Sequence, residues 1–413
     1  MSNIFETTAY VLDEVFIRFV NYLSFAKVAN RNLEEDFKGL KYATGQTLNY
    51  RLEERYLAGE GATATEEARV QIIRPLKVDK QFRTMVAFTG MELTFDRARD
   101  KPYLDMMLNP RAKALANKVE KYIASDNLQK KVYQSVGTPG VAIDFDVISE
   151  ADAYMNELAI PEDGNRYMAL PPRAASSLAI DLKGSFNSDI NRGALMDGFI
   201  GHVTGFDCFK TNFLTRHIAG VGEGTAAGTG FHKAGDVVGT VSSGSSITLD
   251  GLGLAAGATA FKEGDLLQLA DATEVFMVNP LTYDALSTPA QFVVTADVIT
   301  ADGNSAVVPI SPEIITSGAR KNISSVIPDN AVMNMRNSFN RAIAFHNQSV
   351  VFAAPPISEL KGGVEVVTTY SDLYKLAITY TLGADIRNYV QLDRLDCLAG
   401  VSINPEFAVI VCH

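Results

Sequence analysis

The chain has 413 residues, 47% apolar and 21% charged, with a formal net charge of −11. That length holds about two to three domains and a sizeable core, and the absence of a long basic run disfavours tight nucleic-acid binding, which draws on clustered Lys and Arg. Cys208, Cys397 and Cys412 are widely spaced without a C-x-x-C, against disulfide scaffolding and structural zinc; no signal-peptide layout or membrane-length apolar run stands out, so folding in a reducing cytoplasm is expected.

Residues 7–29 predict an amphipathic helix. Val11, Leu12, Val15, Phe16, Phe19, Val20 and Leu23 line one face, opposite Asp13, Glu14, Arg18 and Asn21. Such a stripe is expected to dock, within its own subunit before a neighbouring one. Residues 47–56 and 68–74 read as two strands around a flexible tip at 58–65. An isolated charged hairpin is marginal in water, so this arm needs a partner surface. Strand character returns over 82–95, where Met91, Leu93 and Phe95 alternate with Glu92 and Thr94.

The spine of the molecule is expected over 109–136. Asn109 can cap that helix and Pro110 suits its first position, where a missing N–H costs nothing. Ala112, Leu115, Ala116, Val119 and Ile123 share one face, while Arg111, Lys113, Lys118, Glu120 and Lys121 are expected to point elsewhere. Ser125-Asp126-Asn127 ends or frays the helix, and the Gly137–Gly140 turn stops it. A short helix follows over 149–158, then a strand over 166–170 halted by Pro171-Pro172, then a helix-plus-strand unit through Gly205-Phe206-Asp207. This is α+β texture without regular strand–helix alternation.

Near Gly220 the texture changes. Short strands recur at 237–241, 246–249, 265–269, 275–278, 291–298 and 306–310 between Gly, Asn and Asp turns, the pattern of a small all-β barrel or sandwich. Its core is expected from Val238, Ile247, Leu249, Leu267, Leu269, Phe276, Val293 and Val307. Residues 318–345 are polar and poorly periodic. Beyond them Tyr374, Leu376, Ile378, Tyr380 and Leu382 alternate as a half-buried strand. The whole reads as a β domain spliced into an α+β host.

No catalytic constellation emerges. His202, His217, His232, His346 and His413 lack metal-binding spacing and read as surface or satisfied core histidines. The 220–224 run lacks the Lys-Ser/Thr of a phosphate loop and reads as a linker. Asp144, Asp146 and Glu150 could be drawn as an acidic metal cluster, but a solvated loop is the simpler reading. No cofactor is called for.

In this order the elements resemble the major capsid proteins of tailed bacteriophages, which share the Hong Kong 97-type fold. More narrowly they resemble the Salmonella-type short-tailed phage coat proteins with an inserted β-barrel. Tyr10-Val11-Leu12-Asp13-Glu14-Val15 is similar to that family's opening helix, and Ala114-Leu115-Ala116-Asn117-Lys118-Val119-Glu120 to its spine. Arg166-Tyr167 through Pro171, Gly201 through Phe206, and Lys262-Glu263-Gly264-Asp265 resemble further segments of it.

The resemblance implies an α+β capsid fold divided as follows: an N-terminal arm and helix (1–43), an extended loop (44–78), a peripheral domain with the spine (79–147), an axial domain (148–219), the inserted barrel (220–345) and return strands (346–413). It implies a non-enzymatic coat protein that assembles as pentamers and hexamers into an icosahedral shell around double-stranded DNA, without sequence-specific binding. Scaffolding, portal and decoration proteins are the implied partners, with no membrane. The implied location is the virion, assembled in the host bacterial cytoplasm. Glu53, Glu54, Arg55, Glu60, Glu66, Glu67 and Arg69 of the arm are the expected intersubunit contacts. Two alternatives stand beside it: an encapsulin-like compartment shell, and a multidomain binding protein with a β module. The second would need an aromatic-lined pocket, yet the chain has no Trp.

Overall fold

The computed structural model describes residues 3–31, 47–57, 71–89, 101–182, 201–222, 230–357, 364–371 and 375–413. The alternating stretch 91–95 and Tyr374 lie outside them. Two units are formed, one from Met1–Arg51, Ile73–Ala124 and Val350–Ser402, the other from Leu52–Ile72, Ser125–Ser349 and Ile403–His413.

The first unit is a helix layer on an open sheet. Thr47–Arg51, Ile73–Thr89, Val390–Ile403, Leu376–Asp385 and Glu365–Ser371 pair antiparallel in that order, and Val350–Ala353 also pairs with Val390–Ile403. The arm's second strand is Ile73–Thr89, with 71 and 72 outside it, while 68–70 lie outside the described residues. In Leu376–Asp385, Ala377 and Thr379 are buried as well as Leu376, Ile378 and Tyr380, so this part of the strand is covered on both faces rather than one.

The N-terminal helix, Asn3–Tyr22, and the short helix Phe25–Val28 pack on the spine helix, Lys101–Ile123. Leu12, Val15, Phe19 and Val20 are buried, as are Ala112, Leu115, Ala116, Val119 and Ile123 of the spine. Each large side chain so buried is worth about 1.5–3 kcal/mol. That is enough to hold a terminal segment that would otherwise fray.

The spine departs from expectation at both ends. It starts at Lys101, so Pro110 lies inside the helix and Asn109 does not cap it. Pro102, in the first turn, occupies the place expected for Pro110, and Leu104, Met106, Met107 and Leu108 are strong helix formers that carry the helix across the proline. At its far end a π-helical turn, Ala124–Leu128, leads into Gln129–Lys131, and Val132 is already extended. The helix therefore stops before Gly137.

In the second unit a mixed sheet runs Ser135–Val136, Ala408–Cys412, Arg341–His346, Arg166–Leu170, Phe206–Lys210 and His202–Val203. Helices Phe145–Glu157 and Pro172–Leu182 cover it through Ile148, Ala151, Met155, Ala174, Ala175 and Leu178. The first of these opens at Asp144, whose carboxylate accepts from the Val147 amide at 2.9 Å, rather than at Ser149. Pro172 ends the preceding strand by starting the second helix.

The barrel is closed. Its strands run Leu266–Leu269, Gln291–Val294, Ala306–Ile315, Ser243–Asp250, Phe231–Val237 and Val332–Arg336, and the last pairs with the first. The polar stretch 318–345 thus hides two strands, Val332–Arg336 closing the barrel and Arg341–His346 in the mixed sheet, the latter buried at every residue. Ile247, Leu249, Leu267, Leu269 and Val293 are core residues as expected. Val238 and Val307 are exposed, and Val237 and Val308 are buried instead. One residue of register moves a strand's side chains to the opposite face. Phe276 is half-buried.

Candidate functional site

Within the two units, three constructions hold polar and charged side chains in fixed places: the foot of the arm, the seat of the barrel and the clamps of each sheet. Of the arm residues, Glu53, Glu54 and Arg55 follow the first arm strand, while Glu60, Glu66, Glu67 and Arg69 lie outside the described residues. Arg55 Nη2 meets Glu406 Oε2 at 3.0 Å, Arg320 Nη2 donates to the Glu53 carbonyl at 3.3 Å, and the Tyr56 hydroxyl donates to Glu54. Arg55 therefore has a carboxylate partner in its own chain. Glu53 is exposed.

The barrel's seat is built from side chains that the sequence reading passed over. The chain enters and leaves the barrel side by side: the His217 amide donates to the Phe339 carbonyl at 2.8 Å, and the Phe339 amide returns to His217 at 3.2 Å. Below this crossing Asp265, fully buried, accepts from His217 Nε2 at 2.6 Å, from the Lys262 amide at 2.7 Å and from the Gly220 amide at 3.1 Å. Burial holds the His217 imidazole below its ordinary range, against the opposing pull of Asp265. The 220–224 run is thus pinned at its first residue. A Cβ on Gly220 would come 2.3 Å from the Ala260 carbonyl oxygen, so only glycine fits.

Two more side chains, Gln291 and Arg336, fasten the barrel to the mixed sheet, and Arg341 of that sheet binds the helix before it. Gln291, 2% exposed, accepts from the Ser135 amide at 2.8 Å and donates to the Ser135 carbonyl at 3.0 Å, so its carboxamide stands in for a strand. Arg336 donates to the Ser135 hydroxyl at 2.9 Å and the Gly137 carbonyl at 2.6 Å and lies 4.6 Å from the Phe231 ring centre. Arg341 donates to the Gln129 carbonyl at 2.7 Å, and burial pulls its guanidinium down to about 10.

Arg166, wholly buried, ties the end of the Phe145–Glu157 helix to the sheet through Asp152 at 2.7 Å and Asn156 at 2.7 Å. Beside it, bonds from Asn165 and then His346 bring the Asp163 carboxyl down to about 2. In the first unit Arg111 grips Asp393 with two bonds of 2.9 Å, and both residues are buried. Glu120, also buried, accepts from the Ser24 hydroxyl at 2.7 Å and the amides of Phe25 and Ala26 at 2.9 and 3.0 Å, capping the short helix from the spine. Burial raises its carboxyl, with those bonds opposing. Arg111 and Glu120 thus point inward, contrary to expectation. The signal was present: inward positions come as doublets, 111/112, 115/116, 119/120 and 123/124, and both charges occupy doublet positions.

Of the other polar candidates, Asp144 is a helix cap and Asp146 sits in that helix's first turn. Among the described residues no group of three His, Cys, Asp or Glu is placed to hold a metal. Burial pushes the Cys208 thiol up to about 12, far from a reactive thiolate. His232 bonds Asn337 at 2.7 Å and His202 bonds Asp207 at 3.0 Å, so these histidines have structural partners. No helix of the described residues is long and apolar enough to cross a membrane.

No curated protein matches the chain by sequence. Among solved structures it is similar to that of Mycobacterium phage Che8, at 12% identity and TM-score 0.46 over 94% of this chain and 90% of that one. It is similar also to the capsid of cyanophage P-SCSP1u, at 12% identity and TM-score 0.42 over 94% and 88%. The holo-SrpI encapsulin complex from Synechococcus elongatus is a further neighbour, at 9% identity and TM-score 0.36 over 90% and 82%. The model of the family described as P22 coat protein, gene protein 5, matches residues 3–411. The chain therefore belongs to the P22 coat protein family, and is a tailed-bacteriophage major capsid protein of mixed α+β fold that carries a closed six-stranded barrel.

Proposed function

We propose that this coat protein assembles as pentamers and hexamers into an icosahedral shell in the host bacterial cytoplasm. Scaffolding and portal proteins assist it, a decoration protein can join the finished shell, and the shell encloses double-stranded DNA without reading its sequence. In this reading the chain is structural and carries no catalytic step. Residues 44–78 reach over a neighbouring subunit, 79–147 with return strands from 346–413 form the wall, 148–219 lie nearer the capsomer axis, and 220–345 are the inserted barrel.

The observation that carries the reading is the arm's position on an open edge. Thr47–Arg51 is the outermost strand of its sheet, paired only with Ile73–Lys77 among the described residues. An edge strand offers unpaired backbone groups to another chain, and Glu53, Glu54 and Arg55 follow it in sequence. Electron microscopy of the purified protein, with and without its scaffolding partner, should show closed shells or capsomers. A protein that stays monodisperse and monomeric at high concentration would overturn the reading. An encapsulin-like role gains no separate support, since no feature described above calls for a cellular cargo.

A further inference from the structure

The chain between the two arm strands, Leu52–Ile72, is grouped with the second unit and not with the sheet that holds those strands. Two loops of the barrel meet its described beginning. The first, 279–284, closes around Asn279. The Asn279 amide donates to the Asp284 carbonyl at 3.0 Å, its carbonyl accepts from the Tyr283 amide at 2.9 Å, and its side-chain oxygen accepts from the Leu281 amide at 2.8 Å. The second, 316–322, closes at Asn322, whose carboxamide donates to the Glu313 carbonyl at 2.6 Å and accepts from the Ile315 amide at 2.9 Å. The Val278 amide donates to the Asn322 carbonyl at 3.2 Å and so joins the two loops.

Each closed loop presents one donor to the arm. Tyr283 is held at φ +60°, a left-handed backbone that a bulky residue keeps only where its surroundings impose it. Its hydroxyl lies 3.4 Å from the Ala319 carbonyl and 3.4 Å from the Tyr56 carbonyl, and so divides one proton between the neighbouring loop and the arm. Arg320 reaches the Glu53 carbonyl at 3.3 Å, and Arg55, between those two arm carbonyls, meets Glu406 at 3.0 Å. The grips on Glu53 and Tyr56 address the backbone, which any arm sequence would offer. Both are long for hydrogen bonds, and the Arg55 pair is half-exposed. The hold is loose but placed at consecutive points.

We propose that these two loops form a bracket by which the inserted barrel aims the arm of its own subunit before a neighbour is met. Tyr283 and Arg320 are its positioning residues. The proposal rests on the reading that the arm reaches a neighbouring subunit, and it deepens that reading by giving the barrel a task in assembly. Fixing the foot beforehand removes part of the ordering cost that docking would otherwise carry. A weak grip also yields when the neighbour docks.

Hydrogen exchange on the unassembled full-length protein tests the bracket. Y283F/R320Q should speed exchange over residues 52–57 by about 3- to 10-fold, the scale of one lost hydrogen bond, with the barrel strands unchanged. L281S, in the same loop at a residue 74% exposed, should leave both as in the wild type. Unchanged exchange at 52–57 in the double variant, or a rise shared by the barrel strands, overturns the proposal. If the double variant does not fold by circular dichroism, Y283F alone, which removes one oxygen, should speed the same residues by about 2- to 5-fold, and no change overturns it equally. Electron microscopy of assembly reactions then tests the aiming: the double variant should give a larger share of open or irregular particles than the wild type. Normal shells from a variant whose foot exchanges faster overturn that role. A wild-type chain that forms no shells would refute the reading of the arm as an intersubunit element, while exchange would still decide whether the bracket holds the foot.

Discussion

The barrel and the open sheet solve the same problem in opposite ways. In the barrel each strand has two neighbours, so the backbone leaves no edge to share and the barrel is joined to the mixed sheet through side chains such as Gln291 and Arg336. The open sheet leaves Thr47–Arg51 at its border and is held to the spine helix by the buried pair of Arg111 and Asp393, while Glu120 ties the short helix to the spine. Closure makes a module that is complete in its backbone and dependent in its seat. Openness makes a wall that is firm inside and unfinished at its margin. Assembly chemistry is expected at the unfinished margin.

The sharpest way to break this contrast is to remove the buried charge. Asp393→Ala strands the Arg111 guanidinium and takes an acceptor from Tyr380, whose hydroxyl burial and then Asp393 push up. Leaving one partner of a buried pair uncompensated costs about 3–5 kcal/mol, to be read as a lower denaturant midpoint. A change below about 1 kcal/mol would show that the pair behaves as a surface one.

The seat should be softer. Gln291→Ala leaves the Ser135 amide without its side-chain partner and the Ser135 carbonyl with only the 3.2 Å bond from Arg336, at a cost of about 1–3 kcal/mol, and hydrogen exchange at Ser135 should quicken before the barrel's own amides change. By the same logic a fragment of residues 220–345 should fold only marginally, having lost its contacts to Ser135, Gly137 and Gln129. An amide spectrum without β-sheet dispersion would place the barrel strands within the host's cooperative unit.

Acidity probes the same seat more gently. Burial holds His217 below its unfolded value of about 6.5. The unfolded chain therefore binds the proton first. The stability that His217 contributes is complete above about pH 6.5 and is lost as pH falls toward the folded value. The slope is at most about 1.4 kcal/mol per pH unit, and His217→Gln should flatten it. An unchanged slope in that variant would assign the acid sensitivity elsewhere.

The smallest effect belongs to the arm. Arg55→Ala removes a half-exposed pair with Glu406 and should cost about 0–1 kcal/mol. Reversing Glu53, Glu54, Glu60, Glu66, Glu67 and Arg69 together should leave the subunit folded and block assembly, read by sedimentation. Normal assembly at low salt would remove the arm from the list of intersubunit elements.

What the sequence disclosed follows the physics of periodicity. The N-terminal helix and most of the barrel core were legible because apolar residues recur at one period on one face, and the strand Arg166–Leu170 because a proline pair halts it. Arg341–His346 was not, because a strand buried on both faces has no alternation to read. Val237-Val238 and Val307-Val308 are chemically identical neighbours, so only the pairing register decides which one is core. The true start of the spine was masked by two prolines competing for one role. The clamps were least legible of all: Gln291 reaches Ser135, and His217 reaches Asp265, across stretches of chain that no local pattern spans.

The crossing of His217 and Phe339 carries a consequence for how such proteins diversify. Paired antiparallel residues lie about 4.5–5.5 Å apart, so the host chain needs only a narrow doorway there, whatever stands beyond it. A foreign module whose two ends sit at that spacing meets the same doorway, and a short turn could close it. The constraint on exchange then lies in the few seat residues that must be matched or dropped, and the size of the cargo beyond the doorway is free to change.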